Sequence, residues 1–467
     1  MPPRPLAVVI LAAGQGKRFR SSLPKVLHPV AGLPIVHHVL GSIERLEGVE
    51  RVLLVVGHEK DALVESIAPR WPSTIFVDQP ERLGTADAVR RCEPFLADFH
   101  GDVLVVNGDH PLVRTTTLAA AAHEHGAEEA AVTLVTAHLD NPTGYGRIVR
   151  DERGALARIV EEADANETER SVREVSVGIW CFDREALFRA LPAVGSDNAQ
   201  GERYLPDAAM LIREQGGRFH TVAARDPWEI MGVNDRVQLS EAARQLRLRR
   251  LHELMVDGVT IEDPATTYVD EAVEVGPDTV LLPMTFLGGS TRIGRGCTIG
   301  PSTRIVDSVV EDGAEITFSQ VLSSHIGPRA RVGPFGSLRP GTRLEAEARV
   351  GTFVEVKGST IGEGSKVPHL SYVGDAEIGR EVNVGAGTIT CNYDGEAHVK
   401  SKTVIEDGAL IGSDTMLVAP VVVGEQAVTG AGSVVTRDIA PGDVVVGSPA
   451  RRTRRRRGHG ESAEQTT

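Results

Sequence analysis

Arg292-Ile293-Gly294-Arg295-Gly296-Cys297-Thr298-Ile299-Gly300-Pro301-Ser302-Thr303-Arg304-Ile305 returns an isoleucine every sixth residue, and glycine follows the first two. The beat continues at Val332, Leu338, Leu344, Val350 and Val356, then at Ile361, Val367, Val373, Ile378 and Val384. Ile411, Leu417, Val428 and Val434 carry it toward Thr436. A six-residue period matches neither one helix face nor simple strand alternation. It matches a parallel β-helix of three short faces per coil, with aliphatic side chains filling a narrow prism and Gly or a small polar residue at each corner. The span from 291 to 436 then makes roughly eight to ten coils.

A chain of 467 residues exceeds what one hydrophobic core supports, so two domains are expected. Aromatics at 4% and 49 glycines suit a prism that admits few rings. A formal net charge of −14 argues against general nucleic-acid binding. The four cysteines, Cys92, Cys181, Cys297 and Cys391, stand far apart, which points to a reducing, cytoplasmic setting and away from a zinc site. No run of eighteen apolar residues occurs, so no membrane span is expected. The apolar run Leu6–Ala13 passes straight into Gly14-Gln15-Gly16-Lys17-Arg18, which reads as a binding loop rather than a leader.

In the first half, apolar runs at Leu6–Ala13, Val52–Val56, Thr74–Val77, Val103–Val106 and Ala131–Val135 read as buried parallel strands. Helical segments at Pro34–Glu47, Thr85–Arg91 and Thr115–His125 alternate with them. This is the signature of an α/β, doubly wound, Rossmann-like sheet, whose ligands sit at the carboxyl ends of strands. Two loops lie there: Gly14–Lys25, and Asn107-Gly108-Asp109. The first can cradle phosphates, because glycines admit the backbone and Lys17, Arg18 and Lys25 supply charge. It is neither a Walker loop nor a dinucleotide fingerprint, since Phe19 occupies the third small position. Asp109 also suits a turn cap, Asn234 the N-cap of the next helix, and Lys17 a solvated charge.

The string Leu11-Ala12-Ala13-Gly14-Gln15-Gly16-Lys17-Arg18 with Pro24-Lys25 resembles the signature of sugar-1-phosphate nucleotidyltransferases. So do Gln79-Pro80-Glu81-Arg82-Leu83-Gly84-Thr85-Ala86 and Asn107-Gly108-Asp109-His110-Pro111-Leu112. Asn141–Ile148, Val160-Glu161-Glu162 and Gly232-Val233-Asn234-Asp235 are similar to its sugar- and metal-binding segments. The resemblance implies a nucleotide site of Leu11, Ala12, Ala13, Gly14, Lys25, Gln79, Gly84, Thr85, Asn107, Gly108, Asp109, Gly146, Glu161, Ser176 and Asn234. It implies Mg²⁺ on Asp109 and Asn234, with Arg18 and Lys25 as catalytic cations facing the triphosphate. Ser176 departs from the family pattern, which has Asn in that strand.

Beyond the sheet, Arg236–Leu254 reads as a helix, and its arginines Arg244, Arg247, Arg249 and Arg250 as a solvated face. Two polar clusters interrupt the prism: Gly333–Gly341 with Phe353–Lys357, and His369–Asp375 with Asn383–Gly387 and Thr390–Gly395. With Ser413-Asp414-Thr415 and Ala419-Pro420, they resemble the bifunctional N-acetylglucosamine-1-phosphate uridylyltransferase/glucosamine-1-phosphate N-acetyltransferase family, from about Leu6 to about Arg437. The resemblance implies that the β-helix is a left-handed one of hexapeptide repeats. It makes His369 the general base toward glucosamine 1-phosphate, held by Arg339, Lys357, Tyr372 and Asn383. Ala386, Asn392, Tyr393, Ser413 and Ala431 would line the acetyl-CoA site.

The reading is therefore of one enzyme using UTP, glucosamine 1-phosphate and acetyl-CoA to make UDP-N-acetylglucosamine, a precursor for peptidoglycan and lipopolysaccharide. The family implies a homotrimer, while the net charge and the lack of a long apolar run lead us to expect no nucleic-acid or membrane partner. Expected boundaries are 1–235 for the uridylyltransferase, 236–256 for a helical linker, 257–450 for the β-helix and 451–467 for a disordered Arg-rich tail. Where some family members carry an Arg for acetyl-CoA, this chain reads Gly447-Ser448-Pro449, and Arg451 and Arg452 are the candidate replacements. Two rivals stand beside this reading. One is a single-activity nucleotidyltransferase with a non-catalytic prism; the other is a scaffold that only binds nucleotide sugars.

Overall fold

The computed structural model describes residues 4–14, 16–57 and 60–455. The chain divides into two compact units, Met1–Leu246 and Arg247–Thr467. In the first, seven strands form the spine of one sheet: β1 (Leu6–Leu11), β2 (Val49–Val56), β3 (Ile75–Asp78), β4 (Asp102–Asn107), β5 (Val132–His138), β6 (Glu174–Asp183) and β7 (Phe219–Ala223). Their order is β7-β5-β6-β4-β1-β2-β3, and a hairpin of Gly146–Arg150 and Leu156–Val160 joins β6. All spine pairings are parallel except those of β6, which runs antiparallel to β4 and β5. β1 is apolar throughout because both its faces are covered. Leu6, Val8 and Ile10 enter one core, and Ala7 and Val9 the other. The strand order reverses beside β1, so the crevice opens between the carboxyl ends of β1 and β4.

The second unit winds three sheets of twelve, ten and nine strands into a prism that begins at Thr260, with every pairing parallel except the last of the twelve-stranded sheet. Successive coils stack in register, as in Leu338 against Val356 and Val356 against Val373. The hexad aliphatics from Ile293 to Leu417 are buried in one continuous core. Each contributes about 1.5–3 kcal/mol of burial. Two hexad assignments are corrected. Val428 and Val434 face outward, and the inward residues are Thr429 and Val435. The strict six-residue beat from Leu417 through Val423 lands there. Thr429 masks it, because its hydroxyl is satisfied inside by the Gly412 amide at 2.9 Å and Thr415 Oγ1 at 3.1 Å.

The corners also differ from expectation. Left-handed backbone falls on bulky residues such as Phe335 (φ 61°), Phe353 (φ 57°) and Leu370 (φ 47°), rather than mainly on glycine. Most hexad glycines serve close stacking instead: a Cβ on Gly362 would collide with the carbonyl oxygen of Gly379 one coil above. Buried hydroxyls pin the corners, as Ser371 Oγ does by donating to the His369 carbonyl at 2.7 Å.

The helix Arg236–Val256 runs across the division between the two units. Ala242 and Leu246 pack on Phe19, Ile35 and Leu112 of the first unit, whereas Leu251 and Leu254 belong to the prism core. The expected boundary at 235 thus moves to Leu246. Two of its arginines are not a solvated face: Arg247 stacks 4.2 Å over Tyr268, and Arg250 donates to the Val273 carbonyl at 2.6 Å. The predicted disordered tail is corrected over Arg451–Arg455, which form a strand antiparallel to Asp443–Val446. Asp443 draws Arg452 Nε to 3.1 Å, and the charged strand covers an edge that would otherwise be open. The rest of that tail, 456–467, lies outside the described residues.

Candidate active sites

The crevice of the first unit is a cleft of about 670 Å³. Leu11, Ala12, Ala13, Gly14, Arg18, Lys25, Gln79, Gly84, Thr85, Asn107, Asp109, Gly146, Glu161, Ser176 and Asn234 all line it. Gly108, expected among them, stands behind the wall. Its amide donates to the Leu11 carbonyl at 2.9 Å, and a Cβ there would press on Ala12 and Ile10. Phe19, which breaks the dinucleotide pattern, is buried beside His28 at 4.6 Å between ring centroids and anchors the loop.

At the cleft's centre, Lys25 Nζ donates to Asp109 Oδ2 and, at 3.2 Å, to Asn234 Oδ1. A Cβ on Gly16 would lie 2.6 Å from Lys25 Cβ, so the bare glycine (φ 56°) lets this side chain in. Burial alone would raise the Asp109 carboxyl, but Lys25 and His110 outweigh it and the net shift is downward. Asn234 is not the helix cap; Asp235 is, accepting from the Gln238 amide at 2.8 Å. That leaves Asn234 Oδ1 free to face the lysine. Gln79 Nε2 donates to Asp87 Oδ2 at 3.0 Å and to the Gly84 carbonyl at 3.1 Å. Both partners accept, so the amide orientation is fixed and Oε1 remains for a ligand. Glu161 is raised by burial and by Asp207 and Asp164.

Arg82, His110, Thr143, Tyr145, Trp180, Glu202 and Gln238 also line the cleft, beyond the residues expected from the sequence. Arg82, His110, Thr143 and Tyr145 lie inside the quoted motifs. Trp180, Glu202 and Gln238 carry no local signal.

On the prism, His369 is exposed at a corner where Leu370 turns left-handed. Register places it in a column. Lys366 pairs with Asn383, Val384 with Ile411, and Leu410 with Val428, so His369, Ala386, Ser413 and Ala431 stand one above another. Tyr372 and Glu355 are neighbours on the next face, with Arg339 and Lys357 at its far edge. Lys357 Nζ lies 3.4 Å from both Asp375 oxygens, and Arg339 Nη1 2.9 Å from Glu355 Oε1. Asn392 is buried and donates to Asp375, while Tyr393 starts a short hairpin, Tyr393–Asp394 with Val399–Lys400. Asn392 and Tyr393 therefore sit beside Lys357 and not in the Ala386 column, and Asn383 belongs to the face before the corner. Lys400, which sequence reasoning missed, stands near Lys357 at the end of this hairpin, and the neighbouring lysine lowers its pKa.

Comparison with known proteins agrees with both halves. Residues 7–238 match the nucleotidyl transferase family, and residues 402–437 match the bacterial transferase hexapeptide repeat. The curated "Bifunctional protein GlmU" of Syntrophomonas wolfei is 46% identical over 441 residues, covering 94% of this chain and 97% of that one. The protein of that name from Carboxydothermus hydrogenoformans is 48% identical over 92% of this chain and 95% of its own. The one from Streptomyces coelicolor is 47% identical over 95% and 92%. With identity near one half along almost its whole length, the chain belongs to the bifunctional GlmU family.

Proposed function

We propose that the two activities of this bifunctional enzyme divide between the cleft and the prism corner. The enzyme transfers acetyl from acetyl-CoA to glucosamine 1-phosphate, then uridylyl from UTP to the N-acetylglucosamine 1-phosphate so formed. The observation that carries the division is the separation of machinery. Oxygen donors and cations meet around Asp109 in one unit, and the exposed His369 imidazole stands at a corner beside the Arg339 and Lys357 face in the other.

In the cleft, the sugar phosphate oxygen attacks the α-phosphorus of UTP and pyrophosphate leaves. Arg18 and Lys25 face the triphosphate and offset its charge. Gln79 Oε1 accepts from a ring N–H, which uracil has at N3 and cytosine lacks. Asp109 and Asn234 suit Mg²⁺: both offer hard oxygens, and both already hold a cation, the Lys25 ammonium. Bound there, Mg²⁺ would neutralise phosphate oxygens. Glu161 and Ser176 face the sugar.

On the prism, His369 takes the proton of the 2-amino group as that nitrogen attacks the thioester carbonyl and the thiol of CoA departs. Arg339, Lys357 and Lys400 hold the sugar phosphate, with Tyr372 beside it. The column of Ala386, Ser413 and Ala431 offers small residues along which a pantetheine arm can lie. One prism, however, turns Asn383 away from Lys357 and separates Asn392 and Tyr393 from that column. A groove between neighbouring prisms of a homotrimer reunites them. The ladder of exposed Phe318, Phe335 and Phe353, with ring centroids 5.7 and 5.2 Å apart, supports such packing. Four free cysteines fit a cytoplasmic enzyme.

The test is a pair of assays on the full chain, CoA release and pyrophosphate release, run on His369→Ala and Asp109→Asn. Each variant should lose one and keep the other; a folded variant that loses both refutes the division.

A further inference from the structure

The Lys25 ammonium occupies the position that the proposed metal needs. Its Nζ donates to Asp109 Oδ2 and to Asn234 Oδ1, the two oxygens assigned above to the cation. The side chains are mostly shielded, with exposures of 11% for Lys25 and 18% for Asp109, so solvent does little to relax the contact. A divalent ion sits about 2.1 Å from its ligands, and an ammonium bonded to both of them leaves no room for it. Two cations sharing this partly buried cradle would also repel each other strongly. The inner stem of Lys25 is confined against Gly16. Release therefore takes only the outer stem, which can swing within the cleft it shares with Gly14 and Arg18.

We propose that Lys25 and the divalent cation exchange at one cradle: without nucleotide the lysine closes the metal site, and a triphosphate draws the lysine off and opens it. This rests on the reading of Asp109 and Asn234 as the metal ligands. Three consequences follow. The free enzyme binds metal weakly, because only its lysine-released fraction is competent. Metal and nucleotide bind with positive coupling, and each raises the other's affinity by the same factor. Lys25 also serves two partners in turn, the carboxylate before substrate arrives and the phosphate after.

The experiment titrates the nucleotide-free full chain with Mn²⁺ and reads free ion by electron paramagnetic resonance, so no turnover is involved. Lys25→Met and, as a second neutral replacement, Lys25→Ala should bind Mn²⁺ at least about tenfold more tightly than the wild type. Lys25→Arg keeps the cation and should stay within about twofold. If neither neutral variant gains affinity, the exchange is wrong. The Lys25→Met gain should also vanish when Asp109→Asn is added. If it survives there, the ion does not bind at Asp109, and the assignment beneath the proposal fails with it.

Discussion

The sheet unit and the prism present their chemistry in opposite ways. The sheet gathers residues from Leu11 to Asn234 into one cleft, because parallel strands end together and their loops face each other across β1 and β4. The prism cannot do this. Its interior is filled by the hexad aliphatics and by small residues such as Ala314, Ala330 and Thr429, so long charged side chains such as Arg339 and Lys357 stand on its faces. The sheet's candidate site is enclosed by a cleft, whereas the prism's candidate residues lie on open faces and are ordered by register.

Four measurements press on that contrast. His369→Ala should lower acetyl transfer by about 10²–10⁴-fold, the range for loss of a general base, with uridylyl transfer unchanged. Asp109→Asn should lower pyrophosphate release by about 10²–10³-fold and spare CoA release. Gly362→Ala forces a methyl into the coil above and should destabilise the prism by about 1–3 kcal/mol, read as a lower thermal midpoint for loss of acetyl transfer. Normal stability in that variant would mean that the coils are less tightly stacked than the corner glycines imply. Lys400→Ala should raise KM for glucosamine 1-phosphate about tenfold and leave kcat nearly intact, since it removes one charged contact to the phosphate. An unchanged KM would exclude the hairpin from the sugar site.

Periodicity made the architecture legible. Strand runs such as Leu6–Ala13 and hexads such as Ile293, Ile299 and Ile305 fall where the structure has them, because burial on both faces or into a prism leaves a composition that little else produces. The failures have local causes. Thr429 took an inward place that the pattern reserved for an aliphatic, so the phase slipped onto Val428. Arg247 and Arg250 read as solvated, yet Tyr268 and the Val273 carbonyl capture them, partners that only folding supplies. Five consecutive residues containing four arginines read as disorder, and Asp443 with a free sheet edge turned them into a strand. Within the cleft, motifs marked the loops, whereas Trp180, Glu202 and Gln238 arrived through topology. Asn234 was ambiguous until Asp235 took the capping role.

The coil from Asn383 to Leu410 is longer than its neighbours, and the excess leaves as the hairpin carrying Tyr393 and Lys400 before the winding resumes in step. A screw thread can bear a side bracket without changing pitch, provided that the bracket starts and ends at the same groove. Proteins built this way can acquire or discard recognition arms one corner at a time while the rest of the spiral stays as it was, so new ligands call for an insertion and not a redesign.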